Sequence, residues 1–236
     1  MCNVRELSVI LPLHNKEHSI KNTVKTLTSA NLVDELQIII VENESTDGSL
    51  IVAKSLIEEM GEEIDIMLLT SSKGKGNAIR KGIPYVKYDW CLITGADLPF
   101  GLTDIQYFLE TSKEKDLYLG SKGHSKSVIS RKLTRRVYSH FFYLIRKIFL
   151  KMDILDPHGS MIARSSYLKK VKKTLTQEEF LIDTEIVFRF SKLNCKMQEI
   201  PISLVNDDRT STVKPLRDGF RMLKETVKLS INDKLN

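Results

Sequence analysis

Five short apolar runs, each ended by a polar turn and followed by helical periodicity, limit what this chain can fold into. Residues 7–13 (LSVILPL), 37–41 (QIIIV), 64–69, 90–94 (WCLIT) and 116–120 (DLYLG) read as strands. Near-continuous apolar runs of this length suit strands buried on both faces. Their alternation with helices demands a mostly parallel sheet, flanked by helices and joined by right-handed crossovers. The expected class is therefore α/β. At 236 residues the chain is long enough for one sizeable core, and a single domain over 1–236 is the default.

In an open α/β sheet, ligands bind at the carboxyl ends of the strands. Loops fan out there, and helix N-termini point unpaired N–H groups into the same space. The 90–94 run ends in Gly95, Ala96 and a single carboxylate, Asp97, with Pro99 stiffening the exit. The first run ends in His14, Asn15, Lys16 and Glu17; the second in short polar residues from Glu42 to Ser49. The third ends in Ser71, Ser72, Lys73, Gly74, Lys75 and Gly76, and such a glycine-rich helix start suits a phosphate or diphosphate, although P-loop spacing is absent. Each turn has a simpler reading: Asp97 caps the helix near Thr103, and Asp47 or Ser49 caps the helix at 50–60.

The net charge of +6 is modest, but nine Lys or Arg and no Asp or Glu fall between Lys122 and Lys151. That points to an anionic partner, or to a solvated basic face. Residues 127–152 have helical periodicity with Val137, Phe141, Leu144, Ile145 and Ile148 apolar. A basic amphipathic helix over about 122–152 can lie on an anionic membrane surface or pack on a partner. Nucleic acid is disfavoured, because Tyr138, Phe141 and Phe142 fit a packing stripe better than a stacking platform. Cys2, Cys91 and Cys195 follow no metal or redox spacing, which fits a reducing, cytoplasmic setting. No secretory signal or membrane-length apolar stretch is visible.

The remaining chain offers a tight polar turn at 156–160 (DPHGS), a helix over 180–193 with Asp183 and Glu185 near its start, an edge-like strand at 197–205 containing Pro201, a charged loop at 206–214 and a C-terminal helix from about 216 to 229. Taken in order, VILPLHNKE at 9–17, VENESTDGS at 41–49, GKGNAIR at 74–80 and GADL at 95–98 resemble the family 2 glycosyltransferases of GT-A fold, a Rossmann-like nucleotide-sugar binding fold. The 156–160 turn, DTE at 183–185, EIPI at 199–202 and DRTSTVK at 208–214 look most like the dolichyl-phosphate mannose or glucose synthase branch.

The resemblance implies a nucleotide diphosphate sugar as donor and transfer with inversion. Carried over by position, Pro12, His14, Lys16, Val41, Glu42 and Asn43 border the base and ribose. Ala96 and Asp97 lie at the diphosphate and its metal, Mg²⁺ or Mn²⁺. Lys122, Arg209 and Lys214 meet donor phosphates, and Arg131 meets the acceptor phosphate. Two departures weaken the metal site: Glu42 and Asn43 stand where the family has two aspartates, and Gly95 stands where it has the first acid of D-x-D. The expected acceptor is a polyprenyl phosphate or another membrane-borne group, reached from the cytoplasmic face as a peripheral protein or beside an integral membrane partner. A phosphate monoester is already an anionic nucleophile, so this transfer needs alignment and charge cancellation more than a base. A hydroxyl acceptor on a glycan, polysaccharide or protein needs one, and Asp183 and Glu185 are then the catalytic candidates beside Asp97. A third possibility is a catalytically silent nucleotide-binding partner of a membrane assembly.

Overall fold

The computed structural model describes residues 4–129, 133–204 and 215–234, with only the backbone course given for 133–138, 215–221 and 232–234. Four βα units open the chain: β1 (Glu6–Leu13) and α1 (Ile20–Ser29), β2 (Glu35–Glu42) and α2 (Ser49–Met60), β3 (Asp65–Thr70) and α3 (Lys75–Gly82), β4 (Trp90–Ile93) and α4 (Thr103–Glu110). Then follow β5 (Leu117–Ser121), α5 (Leu133–Leu150), β6 (Met161–Arg164), α6 (Ser165–Lys172), α7 (Ile182–Lys192), β7 (Met197–Pro201) and α8 (Pro215–Lys234). The sheet order is β3-β2-β1-β4-β6-β5-β7. All of these strands run parallel except β6, which is antiparallel to both β4 and β5.

The apolar runs are continuous because both faces of the sheet are covered. Leu7, Val9, Leu11 and Leu13 of β1 pack among Ile20, Val24 and Leu27 of α1 and Phe108 of α4. Ile10 points the other way, among Ala78 and Ile79 of α3 and Ile182 and Ile186 of α7. Period-two alternation thus feeds two cores from one strand.

This topology collects one set of loops. The carboxyl ends of the parallel strands share one edge of the sheet, and the turn before antiparallel β6 returns to that same edge. Chain order reverses around β1, which lies between β2 and β4. Such a switch point opens a crevice at the carboxyl edge.

Several elements differ from expectation, among them α6, which the sequence reading lacks, and β7, which ends at Pro201 short of the expected residue 205. The helix expected from residue 127 begins at Leu133, because Val128 instead bridges Ser203 beyond the end of β7. The sequence around 161–163 carried no helix or strand signal of its own. It forms β6, held between two strands whose pairing the local pattern does not encode.

Candidate active site

The first two turns are stitched together. His14 Nδ1 donates to the Asn43 carbonyl at 3.0 Å, and Asn43 N donates to the Leu13 carbonyl at 3.0 Å. Thr46 N donates to Asn15 Oδ1 at 2.7 Å, Lys16 N to Ser49 Oγ at 2.7 Å and Gly48 N to Glu17 Oε2 at 2.6 Å. Asn15 (φ 51°) and Glu44 (φ 56°) hold left-handed conformations in these turns. Backbone strain of this kind persists where the surroundings over-determine it, often at ligand sites. Glu42 and Asn43 are buried, and Glu42 Oε1 accepts from Ser45 N at 2.5 Å. Of the expected caps, Asp47 accepts from Ser49 N at 2.9 Å, while the Ser49 hydroxyl serves the neighbouring turn.

The β4 exit stands opposite. Thr23 of α1 donates its hydroxyl to the Ala96 carbonyl at 3.0 Å, and Leu98 takes φ 41°. Lys16 reaches across from the first turn, placing Nζ 2.9 Å from Asp97 Oδ2. The Lys16 ammonium therefore lies on the carboxylate expected at the diphosphate, whereas the sequence had set this residue beside the base and ribose. Lys122, at the end of β5, stacks its ammonium 5.6 Å from the Phe100 ring centroid and lies 3.8 Å from Asp156 Oδ2. Two ammonium groups and two carboxylates thus frame the mouth of the crevice.

The 74–76 turn has a different task from the phosphate cradle its composition suggests. Gly76 N and Asn77 N donate to the Glu178 carbonyl at 2.7 and 3.3 Å, so these amides are occupied. A Cβ on Gly76 would lie 2.2 Å from the Gln177 carbonyl oxygen, and one on Gly74 (φ 121°) 2.3 Å from that of Glu178. These glycines let the 177–178 backbone dock. Glu185 fixes that segment from the other side: fully buried, it accepts from Thr176 N, Thr176 Oγ1 and Gln177 N at 2.8–3.1 Å and lies 3.6 Å from Arg189 Nη2.

Asp183 is placed differently. Its Oδ2 lies 2.5 Å from Lys75 Nζ and 3.5 Å from His158 Nδ1. Its Oδ1 is buried with no hydrogen-bond partner among the described residues. Burial alone would raise this carboxyl, but the Lys75 ammonium and His158 outweigh it and hold it below the ordinary carboxylate value. His158 arrives on the 156–160 turn, which is tied down by Glu199: Leu155 N and Asp156 N both donate to its carboxylate at 3.2 Å. Lys75 and His158 are the site residues that the candidate set lacked. Both stood in quoted motifs, but only the fold brings them to Asp183.

Pro12 and Val41 face each other in adjacent strands at this edge. Arg131, Arg209 and Lys214 lie outside the described residues. A cleft of about 490 Å³ opens beside Lys122, lined also by His124, Ser127, His140, Tyr143 and Asp156. Next to it, α5 turns Ile145 and Arg146 inward; Arg146 is buried and donates to the Leu155 carbonyl at 3.0 Å. Phe141, Leu144 and Ile148 are exposed. The basic apolar stripe is therefore split, with one of its arginines structural. No helix among the described residues is long and apolar enough to cross a membrane.

A seven-stranded, mostly parallel sheet with nucleotide-sized turns at its carboxyl edge is the GT-A architecture, and solved structures of that class superimpose on it. Glucosyl-3-phosphoglycerate synthase from Mycobacterium tuberculosis, in complex with UDP, matches 97% of this chain and 79% of its own at a TM-score of 0.64 and 19% identity. The same enzyme with Mn²⁺, UDP and glucosyl-3-phosphoglycerate gives 0.66 at 18% identity over the same shares. The glycosyl transferase family 2 model matches residues 8–171, and the chain belongs to that family. It is a glycosyltransferase, and its likeness runs to the dolichyl-phosphate sugar transferase branch. Dolichyl-phosphate beta-glucosyltransferases from Dictyostelium discoideum and Saccharomyces cerevisiae are each 25% identical over 94% of this chain and 73% of their own length.

Proposed function

We propose that the chain transfers a hexose from a nucleoside diphosphate sugar to a polyprenyl phosphate, with inversion at the sugar. One observation carries this reading: the carboxylates at the carboxyl edge are already engaged. Asp97 is paired with Lys16, Asp183 with Lys75 and His158, and Glu185 with backbone amides. A general base works best with a pKa near the working pH; Asp183 is held below even the ordinary carboxylate value. An acceptor that arrives as a phosphate anion needs no such base. It needs cations to bring two anions together and to neutralise the departing nucleoside diphosphate, and Lys16, Lys75 and Lys122 stand where they would act.

In this reading the stitched 14–17 and 42–49 turns hold the nucleoside, and the β4 exit faces the diphosphate. The cleft beside Lys122 receives the acceptor phosphate, with Arg131 near it in the chain. The exposed Phe141, Leu144 and Ile148 of α5 rest on the membrane that carries the acceptor. The dolichyl-phosphate specificity in the names of the relatives supports this choice of acceptor, and the UDP complexes of the structural neighbour support a nucleotide partner. Mn²⁺ in those complexes supports a divalent cation in the architecture.

A second reading rests on Asp183 Oδ1, which is buried with no hydrogen-bond partner among the described residues. It is an open acceptor for a hydroxyl of the donor sugar or of a glycan acceptor. Incubation with UDP- and GDP-hexoses separates the two: the proposal expects product on polyprenyl phosphate in detergent and none on oligosaccharides or protein. Product on the hydroxyl acceptors alone would overturn it in favour of the second. No product with any pair would favour a silent nucleotide-binding partner.

A further inference from the structure

We propose that the Lys16 ammonium takes the place of the divalent cation, so that this chain binds its donor diphosphate without metal; the inference rests on the nucleotide-sugar reading above. The first test is whether the residues present fit a metal. At sites that take phosphates, Mg²⁺ is held by one or two carboxylates together with the substrate's own phosphates and waters. Among the described residues no group of three His, Cys, Asp or Glu side chains comes together to hold an ion. Asp97 is the carboxylate at the β4 exit. The position two residues earlier is Gly95, and a Cβ built there would meet Asp97 Oδ1 at 2.8 Å. An aspartate at 95 would turn the Asp97 carboxylate, the end of a flexible side chain, away from its present position. Glu42, at the end of β2, is buried and holds Ser45 N. The described donor set is thus one carboxylate, and that carboxylate already carries an ammonium, so it does not fit the ion.

The same place is filled by a cation of the chain itself. Lys16 Nζ lies 2.9 Å from Asp97 Oδ2, with the Lys16 side chain 41% exposed and that of Asp97 18%. The Lys16 backbone is fixed: its N–H donates to Ser49 Oγ, and its carbonyl accepts from Ser19 N and Ile20 N where α1 begins. Thr23, on the same helix, holds the Ala96 carbonyl. Ammonium and carboxylate are thus presented by one rigid unit. Two carboxylates and a divalent cation sum to zero charge; one carboxylate and one ammonium also sum to zero. Among the described residues this pair offers a diphosphate the same net charge, with N–H donors in place of metal coordination. A metal approaching Asp97 would in addition have to displace or sit beside the ammonium, which like-charge repulsion opposes.

The test is calorimetric titration of the full chain with UDP and GDP, in EDTA and in Mn²⁺. The expected result is that the nucleotide that binds does so with equal affinity, within about threefold, in both buffers. Lys16→Met should lower affinity at least tenfold in EDTA, and Lys16→Arg, which keeps the charge, should stay within about fivefold of wild type. Melting curves establish that each variant is folded. Binding by wild type only in Mn²⁺ would overturn the inference and leave the nucleotide-sugar reading standing. Unchanged binding by Lys16→Met in EDTA would overturn it as well. No binding of either nucleotide in either buffer would overturn both.

Discussion

Glu185 separates a structural from a chemical use of the acids on α7. Its carboxylate is fully buried and accepts from two backbone N–H groups and one hydroxyl of the 176–177 segment. Glu185→Ala orphans those donors at about 1–3 kcal/mol each and removes the charge facing Arg189. These terms overlap, so a net loss of about 4–5 kcal/mol is expected, a large part of the ~5–15 kcal/mol that stabilises a typical domain. Glu185→Gln keeps one acceptor oxygen and should lose only about 1–2 kcal/mol. Guanidinium unfolding gives both numbers, and hydrogen exchange at Thr176 and Gln177 N–H should show protection falling in the same order. Because that segment docks on Gly76, donor binding should weaken in step with stability. If Glu185→Gln unfolds within about 0.5 kcal/mol of wild type, binds nucleotide normally and yet has no turnover, the structural argument is refuted and Glu185 is chemical.

Three further outcomes follow from single features. Burial pushes the Asp104 carboxyl from 3.8 up to about 6; with the folded pKa raised, this group's own contribution to stability is fully present below pH 4 and is lost as pH rises through 6, by about 3 kcal/mol. Asp104→Asn should abolish that slope and stabilise the protein at pH 7 but not at pH 3.5; equal melting shifts at both would contradict it. A Cβ on Gly159 would lie 1.6 Å from the Gly120 carbonyl oxygen, so Gly159→Ala should cost about 3 kcal/mol and loosen His158; an unaltered unfolding midpoint would exclude this. Phe141 and Ile148 are exposed on α5, so Phe141→Ser with Ile148→Ser should reduce sedimentation with anionic vesicles at low salt while leaving nucleotide binding unchanged; undiminished sedimentation would remove α5 from the membrane contact.

The order of β1 to β5 with the helices between them was legible because each apolar run is followed by its own helical period, while β6 and α6 were not; the turns at 14–17, 42–49 and 95–97 were legible because polar residues interrupt those runs abruptly. What could not be read were partnerships across the chain. Gly74 and Gly76 have the composition of a phosphate loop, yet their role depends on Glu178, a hundred residues away. Lys16 and Asp97 are 81 residues apart, and nothing local to either announces a 2.9 Å ion pair. Glu185 and Asp183 look alike on one helix turn; only the positions of Thr176, Lys75 and His158 give them different environments. Ser127 and Val128 continue a helical pattern locally but are claimed by β7, with Ile202 N donating to Ser127 Oγ at 3.0 Å.

The central claim is that a nucleotide-sugar donor sits across the carboxyl edge, between the stitched first turns and the β4 exit. Hydrogen exchange of the full chain, with and without saturating UDP or GDP, tests it most directly. One nucleotide should protect peptides spanning 12–17, 41–49 and 95–100 together, and leave the opposite edge, around 31–36, unchanged. Protection confined elsewhere, or absent with both nucleotides, would contradict the account.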